Sequence, residues 1–277
     1  MKALVSLLPQ EVPHSDLINQ ADFSGDFAYN GKTIVARNSD LSATGNYFEA
    51  EVKGDATLNL AEDIPPVIAG RATADVTDVA SLAKALEQKI NGLDLVKTAN
   101  VAVDLTAKDK GFLAQNIVAR VAGDDLNATY EGQADIGDTI TAQGAFTASA
   151  QDLPTIVRAL KLELEQDVVV NTADVSGQIN YSEDAINVTL DKADVQGENL
   201  TASYKGDVSV RDENISAKGD FTTNATAIPA LVAALKIDAP QAAVLDKAKA
   251  SGRVDYSKDA ISVTLNEANL NLSLIHI

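Results

Sequence analysis

Period-two alternation of apolar and polar residues governs most of this chain. In AINVTLDKA, Ile186, Val188 and Leu190 take one side while Asn187, Thr189 and Asp191 take the other. In LTASYKGDVSV, Leu200, Ala202, Tyr204, Gly206, Val208 and Val210 alternate with Thr201, Ser203, Lys205, Asp207 and Ser209. The pattern predicts strands with one apolar and one polar face. A wet face on every strand favours antiparallel pairing over a parallel sheet covered by helices on both sides. Polar breaks such as YSEDAI, YSKDAI, DKADVQGEN and VRDENI have hairpin spacing. Strands of about 7 to 10 residues are therefore expected.

The period changes in SLAKALE (from Ser81), TIVRALK (from Thr155) and ALVAALK (from Ala230). Pro154 and Pro229 suit a first helical turn, and Asp152 is placed to cap one. Ile156, Val157 and Leu160 form an apolar stripe that Leu231, Val232 and Leu235 repeat. A helix this short does not stand alone, so it is expected to pack on the sheet or plug its end.

These elements recur. A glycine precedes an alternating strand in FSGDFAYNGKTIVA, VSGQINYSEDAINVTL and ASGRVDYSKDAISVTL, with Val103 in the same place one unit before Gly177. LSATG at Leu41, LNATY at Leu126 and LTASY at Leu200 read as a second landmark, and NLTASYKGDVSV as a strand pair. Gly70, Gly144 and Gly219 read as the starts of further strands, each followed by a helix. The period is 74 to 75 residues between those glycines.

Residues 1–271 are thus expected to form one continuous repeat region, with units at about 20–98, 99–172, 173–248 and a partial 249–271. Pro65 and Pro66 force a loop in an insertion of the first unit. Units of this kind bury their faces by sharing a sheet. The fold expected is mainly β with short α: tandem repeats of about four antiparallel strands plus one short helix, forming an extended curved sheet or groove.

Composition narrows the core and the chemistry. Apolar residues are 45% of the chain, but aromatics are 4%, with one Met and no Trp. Ala, Val, Leu and Ile must supply the burial, which suits thin regular layers better than a deep pocket. The net charge of -18, without a basic cluster, argues against nucleic acid. The chain has no Cys, which removes thiol chemistry and disulfides.

Of the two histidines, His14 lies in the irregular start and His276 in the last residues, so no His triad or multi-His metal site is expected. The carboxylates fall in turns (Glu183, Asp184, Asp212, Glu213, Asp259) or at outward strand positions such as Asp191 and Asp207. No catalytic residue, metal ligand or cofactor is expected, and the chain is read as not an enzyme. Tyr130 and Tyr204, and likewise Tyr181 and Tyr256, recur as amphipathic rings at a sheet rim or between layers.

The ends carry two further expectations. MKALVSLLPQEVPHSD is too short an apolar run for a signal peptide or a membrane span. The final LSLIHI, residues 272–277, matches the translation of a transposon-based sequencing adapter and is read as an adapter-derived tail. The apolar strand faces must pack against a second sheet or hold something apolar, and alternation does not choose between these.

DFSGDFAYNGKTIVARNSDLSATG, GRATADVTDVASLAKALEQK and NLTASYKGDVSVRDENISAKGDFTTNATAIPALVAALK resemble the envelope domains of the AsmA family of Gram-negative bacteria, over about residues 20 to 271. The resemblance implies a periplasmic repeat region whose full-length parent is anchored in the inner membrane, with membrane contact only through parts absent from this chain. It implies phospholipid contact or conduction along an apolar β groove, or scaffolding of outer-membrane assembly with envelope proteins as partners. By face and repeat position, Ile186, Val188, Leu190, Leu200, Ala202, Val208, Val210, Ile261, Val263 and Leu265 would line that groove. The alternative is a secreted or surface adhesin-like repeat module with a closed, dry interior that binds a protein partner.

Overall fold

The computed structural model describes residues 14–59, 67–161, 169–211, 214–236, 244–258 and 260–272. The order of four strands and a short helix occurs three times. It runs β1 (Ile18–Tyr29), β2 (Thr33–Gly45), β3 (Phe48–Asn59), β4 (Val67–Val76) and α1 (Val79–Ala85). It continues with β5 (Thr98–Lys108), β6 (Gly111–Ala122), β7 (Leu126–Ile136), β8 (Ile140–Ala150) and α2 (Leu153–Ala159). The third set is β9 (Thr172–Ser182), β10 (Ala185–Gln196), β11 (Leu200–Arg211), β12 (Asn214–Thr226) and α3 (Ile228–Ala234). Two more strands follow, β13 (Leu245–Ser257) and β14 (Ala260–Leu272).

Strand order in the sheet follows chain order from β1 to β14, so the expected mainly-β repeat of antiparallel strands with one short helix is the fold observed. The chain divides into two compact units, Met1–Asp124 with Thr129–Ala142, and Asp125–Ala128 with Gln143–Ile277. The loop expected at Pro65 and Pro66, the turn carboxylates Asp212, Glu213 and Asp259, and all but Leu272 of the final six residues lie outside the described residues. Leu272 itself pairs with Leu245 at the end of β14.

Four expectations need correction. The strands are 10 to 13 residues long, not 7 to 10. NLTASYKGDVSV is no strand pair: Leu200–Arg211 is a single strand, and Gly206 sits in its middle, directly opposite Gly219 of β12. Because that pairing keeps the alternation in phase, the glycine does not turn the chain. For the same reason Gly70, Gly144 and Gly219 lie inside β4, β8 and β12 rather than at their starts. Leu41 of LSATG belongs to β2, whereas Leu126 and Leu200 open β7 and β11. The residue in their place in the first repeat is Phe48, which opens β3 and is followed by Val52 and Gly54 where β11 has Tyr204 and Gly206.

The second strand of each repeat carries a bulge, and each bulge carries Asn or Asp. Asn38 is the extra residue between β1 and β2, Asn116 between β5 and β6, Asp191 between β9 and β10, and Asn266 between β13 and β14. Asn38 and Asn116 adopt positive φ, 51° and 49°, where Asn is better tolerated than most residues. Both residues are tied down. Asn116 donates to Asp104 at 2.7 Å, and the Asn38 backbone N–H donates to Asp55 at 2.8 Å. The Asp104 carboxyl lies below the ordinary carboxylate range, first because it accepts from Asn116 and then because Arg71 stands 3.0 Å away.

Helix α2 starts as the sequence anticipates, and Pro229 sits in the first turn of α3 as expected. Asp152 accepts from the Thr155 N–H at 3.2 Å and its hydroxyl at 2.7 Å, with Pro154 in the first turn. Asp78 accepts from the Ser81 N–H at 2.9 Å. In α3 the cap position is Ala227, which has φ 49° and offers no side-chain acceptor.

These hydrogen bonds hold both aspartates below their usual pKa, with the Thr155 side chain the larger cause at Asp152 and the Ser81 backbone at Asp78. A lowered folded-state pKa means that the stabilisation is present above the unfolded-state value and is lost as pH falls through the folded one. Asp152→Ala is therefore expected to speed amide exchange at Thr155 and lower the unfolding midpoint near neutral pH. The two proteins should converge in strong acid, and thermal melts across pH with exchange at neutral pH check this. A midpoint difference that persists undiminished in acid would assign the effect to something other than the cap.

Candidate functional site

Register places side chains on faces more firmly than alternation does, because directly opposed residues share a side. In the unit containing β9 to β14, one row runs Ile179, Val188, Val208, Ala217, Tyr256, Ile261. The next runs Gly177, Leu190, Gly206, Gly219, Val254, Val263, and the next Val175, Ala193, Tyr204, Phe221, Gly252, Leu265. Ala202 lies between Val195 and Thr223 in a fourth, Leu200 faces Ala225 in a fifth, and Ile186 faces Tyr181 and Val210 at the other end. All ten residues singled out from the sequence fall on this one face.

The unit containing β1 to β6 has the same construction. Phe23, Leu41, Val52, Ala72 align across β1 to β4, with Val103 of β5 next to them. Ala21, Ala43, Ala50, Ala74, Val101 and Ala119 form the adjoining row. As lining of the face these residues were not singled out from the sequence, nor were Ile179, Phe221 and Val254. Their strands alternate as clearly as β10, so the signal was present and only the register that joins the rows was missing.

No second layer covers this face among the described residues. Among the described residues the buried hydrophobics are Ala83, Ala114, Ala150, Ile156, Ala185, Ala225 and Ile228, and no large side chain is fully buried. Exposure rises towards the sheet edges, to 62% at Phe27 and 69% at Ile261. Helix α3 covers only a margin. In α3, Ile228, Leu231 and Val232 pack with Leu200, Ala225, Leu245 and Ala248, which closes one end of the apolar rows. Ile156 is buried at the matching place in α2.

Paired glycines cross the middle of the face. Gly54 opposes Gly70, and Gly206 opposes Gly219. A Cβ on Gly219 would fall 2.7 Å from Tyr204 Cζ, and one on Gly206 would fall 2.9 Å from Tyr204 Oη, because the Tyr204 ring lies over the pair. The Tyr204 hydroxyl donates to the Asp207 carbonyl at 3.1 Å, and burial is the first cause of its raised pKa. The ring occupies the space that the glycines leave, as aromatic residues do beside strand glycines elsewhere. Tyr204 therefore lies over the glycine pair within the face rather than at a sheet rim.

The opposite face is polar and mixed in charge. Lys218 pairs with Asp255 at 2.7 Å, Lys192 with Asp194 at 3.0 Å and Arg71 with Asp104 at 3.0 Å. A shallow depression there is lined by Thr172, Asp174, Asp194, Ser203, Thr222, Asn224 and Lys249. Exposed pairs of this kind add solubility more than stability. Among the described residues, no group of three or more His, Cys, Asp or Glu side chains could hold a metal ion, and no helix is long and apolar enough to cross a membrane. Comparison with family models, curated proteins and solved structures found no match. The class that the geometry defines is an antiparallel β-repeat sheet whose apolar face no second layer covers among the described residues.

Proposed function

We propose that this chain is a non-enzymatic repeat module of the bacterial cell envelope that holds phospholipid acyl chains on its apolar face, in the manner of the AsmA-type proteins that its sequence resembles. The observation that carries the proposal is the uncovered face itself. Aliphatic rows run from strand to strand, with exposure of 36% at Ile186, 46% at Leu41 and 53% at Val263. Such a surface in water costs free energy roughly in proportion to its area, about 25 cal/mol per Å².

Its texture favours a fluid partner. Ala, Val, Leu and Ile outnumber Tyr and Phe along the rows, which suits a mobile hydrocarbon chain better than the rigid aromatic or Arg anchors that dominate protein interfaces. In this reading the parent protein is periplasmic and tied to the inner membrane, and the module contacts or passes phospholipid or scaffolds outer-membrane assembly.

Native mass spectrometry tests it on the full chain, expressed in a bacterial periplasm and purified without detergent. Phospholipid at a defined ratio per chain is expected. A well-folded, lipid-free mass would overturn the proposal and leave a protein partner as the reading to pursue.

A further inference from the structure

The depression on the polar face of the unit containing β9 to β14 is built from two adjoining rows. Register aligns Thr172, Gln196, Thr201, Asn224 and Lys249 across β9 to β13, and Asp174, Asp194, Ser203 and Thr222 across β9 to β12 beside them. Together they line a space of about 410 Å³, within the size range of small-ligand sites.

Elsewhere on this face polar groups bind one another. Lys218 pairs with Asp255 at 2.7 Å, Thr189 donates to Asp207 at 2.8 Å, and Ser209 donates to Asn187 at 2.7 Å. In the depression Ser203 and Thr222 share a hydrogen bond at 2.5 Å, and Lys192 reaches Asp194 at 3.0 Å. The side chains of Thr172, Gln196, Thr201, Asn224 and Lys249 have no hydrogen-bond or ion-pair partner among the described residues. Their bonding capacity is turned to solvent.

That unused capacity is mixed. Hydroxyls and amides both donate and accept, ionised Asp174 and Asp194 only accept, and Lys249 only donates. A neutral sugar chain carries hydroxyls that need neighbours of both kinds. An anionic ligand needs donors alone and would meet Asp174 and Asp194, which stand directly opposite each other on β9 and β10. A peptide is equally ill matched. β10, β11 and β12 are each hydrogen-bonded on both sides, which leaves no main-chain groups for strand addition. Val195 and Ala202, the apolar residues of the lining, belong by register to the opposite face and offer no pocket for an apolar side chain.

We propose that this depression binds a neutral oligosaccharide laid across β9 to β13. Gln196, Thr201 and Asn224 are its central contacts, with Asp174 and Asp194 accepting from sugar hydroxyls at one end and Lys249 donating at the other. No aromatic ring lines the depression, so binding is weak and rests on hydrogen bonds that replace those to water. Acyl chains would lie on the opposite face, so neither binding mode depends on the other.

NMR of the isotopically labelled full chain, titrated with maltohexaose and separately with chitohexaose, tests this. Saturable shifts are expected at the side-chain amides of Gln196 and Asn224 and at the backbone of Thr201 with at least one of the two sugars. Gln196→Ala with Asn224→Ala removes two exposed side chains, so circular dichroism should be unchanged while affinity falls at least about tenfold, as the loss of two hydrogen bonds requires. Absence of saturable shifts with both sugars up to their solubility, or shifts that the double substitution leaves unaltered, would overturn the proposal. Equal shifts with inorganic phosphate at matched concentration would overturn it in favour of an anion site at Lys249.

Discussion

Gly219→Val is expected to destabilise the sheet around β11 to β13 by about 3 kcal/mol or more, beyond the usual cost of overpacking. The reason is the identity of the atoms in the way. A Cβ at Gly219 meets the Lys205 carbonyl oxygen and the Gly206 Cα, both backbone, as well as the Tyr204 ring. A ring can swing aside, but a paired strand moves only by breaking its ladder. Gly206→Val should behave alike, since its Cβ would meet Gly219 Cα and the Lys218 carbonyl oxygen.

Removing the ring as well, in Gly219→Val with Tyr204→Ala, should recover only a minor part of the loss. Urea unfolding, with amide exchange to confine the effect to β11–β13, measures it. A loss below about 0.5 kcal/mol, ordinary for a surface substitution, would show that these strands do not approach as closely as described.

The double substitution Val188→Asp with Val263→Asp should leave the fold nearly intact and reduce retained phospholipid at least tenfold. Val263 is 53% exposed and Val188 only partly buried, so a carboxylate at either site stays in contact with water and avoids the penalty of a sealed core. Each valine covered by an acyl chain contributes about 1.5 kcal/mol or more, and two such losses exceed a factor of ten. Circular dichroism establishes the fold and native mass spectrometry the lipid. Unfolding would mean that a covering layer exists and that the face is no lipid surface. Intact fold with unchanged lipid would move the lipid site elsewhere.

Local features of the chain were legible before any coordinate. The stripe Ile156, Val157 with Pro154 and Asp152 announces α2, because caps, first-turn proline and helical spacing all act within a few residues. The polar face of β10 could likewise be read from Asn187, Thr189 and Asp191. Features that depend on an opposite strand were not. A mid-strand glycine such as Gly206 looks the same in sequence as one at a turn, and only its pairing with Gly219 separates the two. LSATG looks like LNATY because both obey the same alternation, although one lies on β2 and the other opens β7. The bulges at Asn38, Asn116, Asp191 and Asn266 were invisible for a similar reason: an extra residue is extra only relative to its neighbour.

By itself, then, the sequence determined strand and helix type, the antiparallel repeat and which residues share a face within a strand, since backbone sterics and solvent act on each segment locally. Tertiary structure alone decided register, the glycine crossing under Tyr204 and the absence of a covering layer among the described residues. Period-two alternation is equally satisfied by a sheet packed on another sheet and by one facing something apolar. Which of the two occurs depends on what distant segments do, and here α3 reaches only one end of its rows.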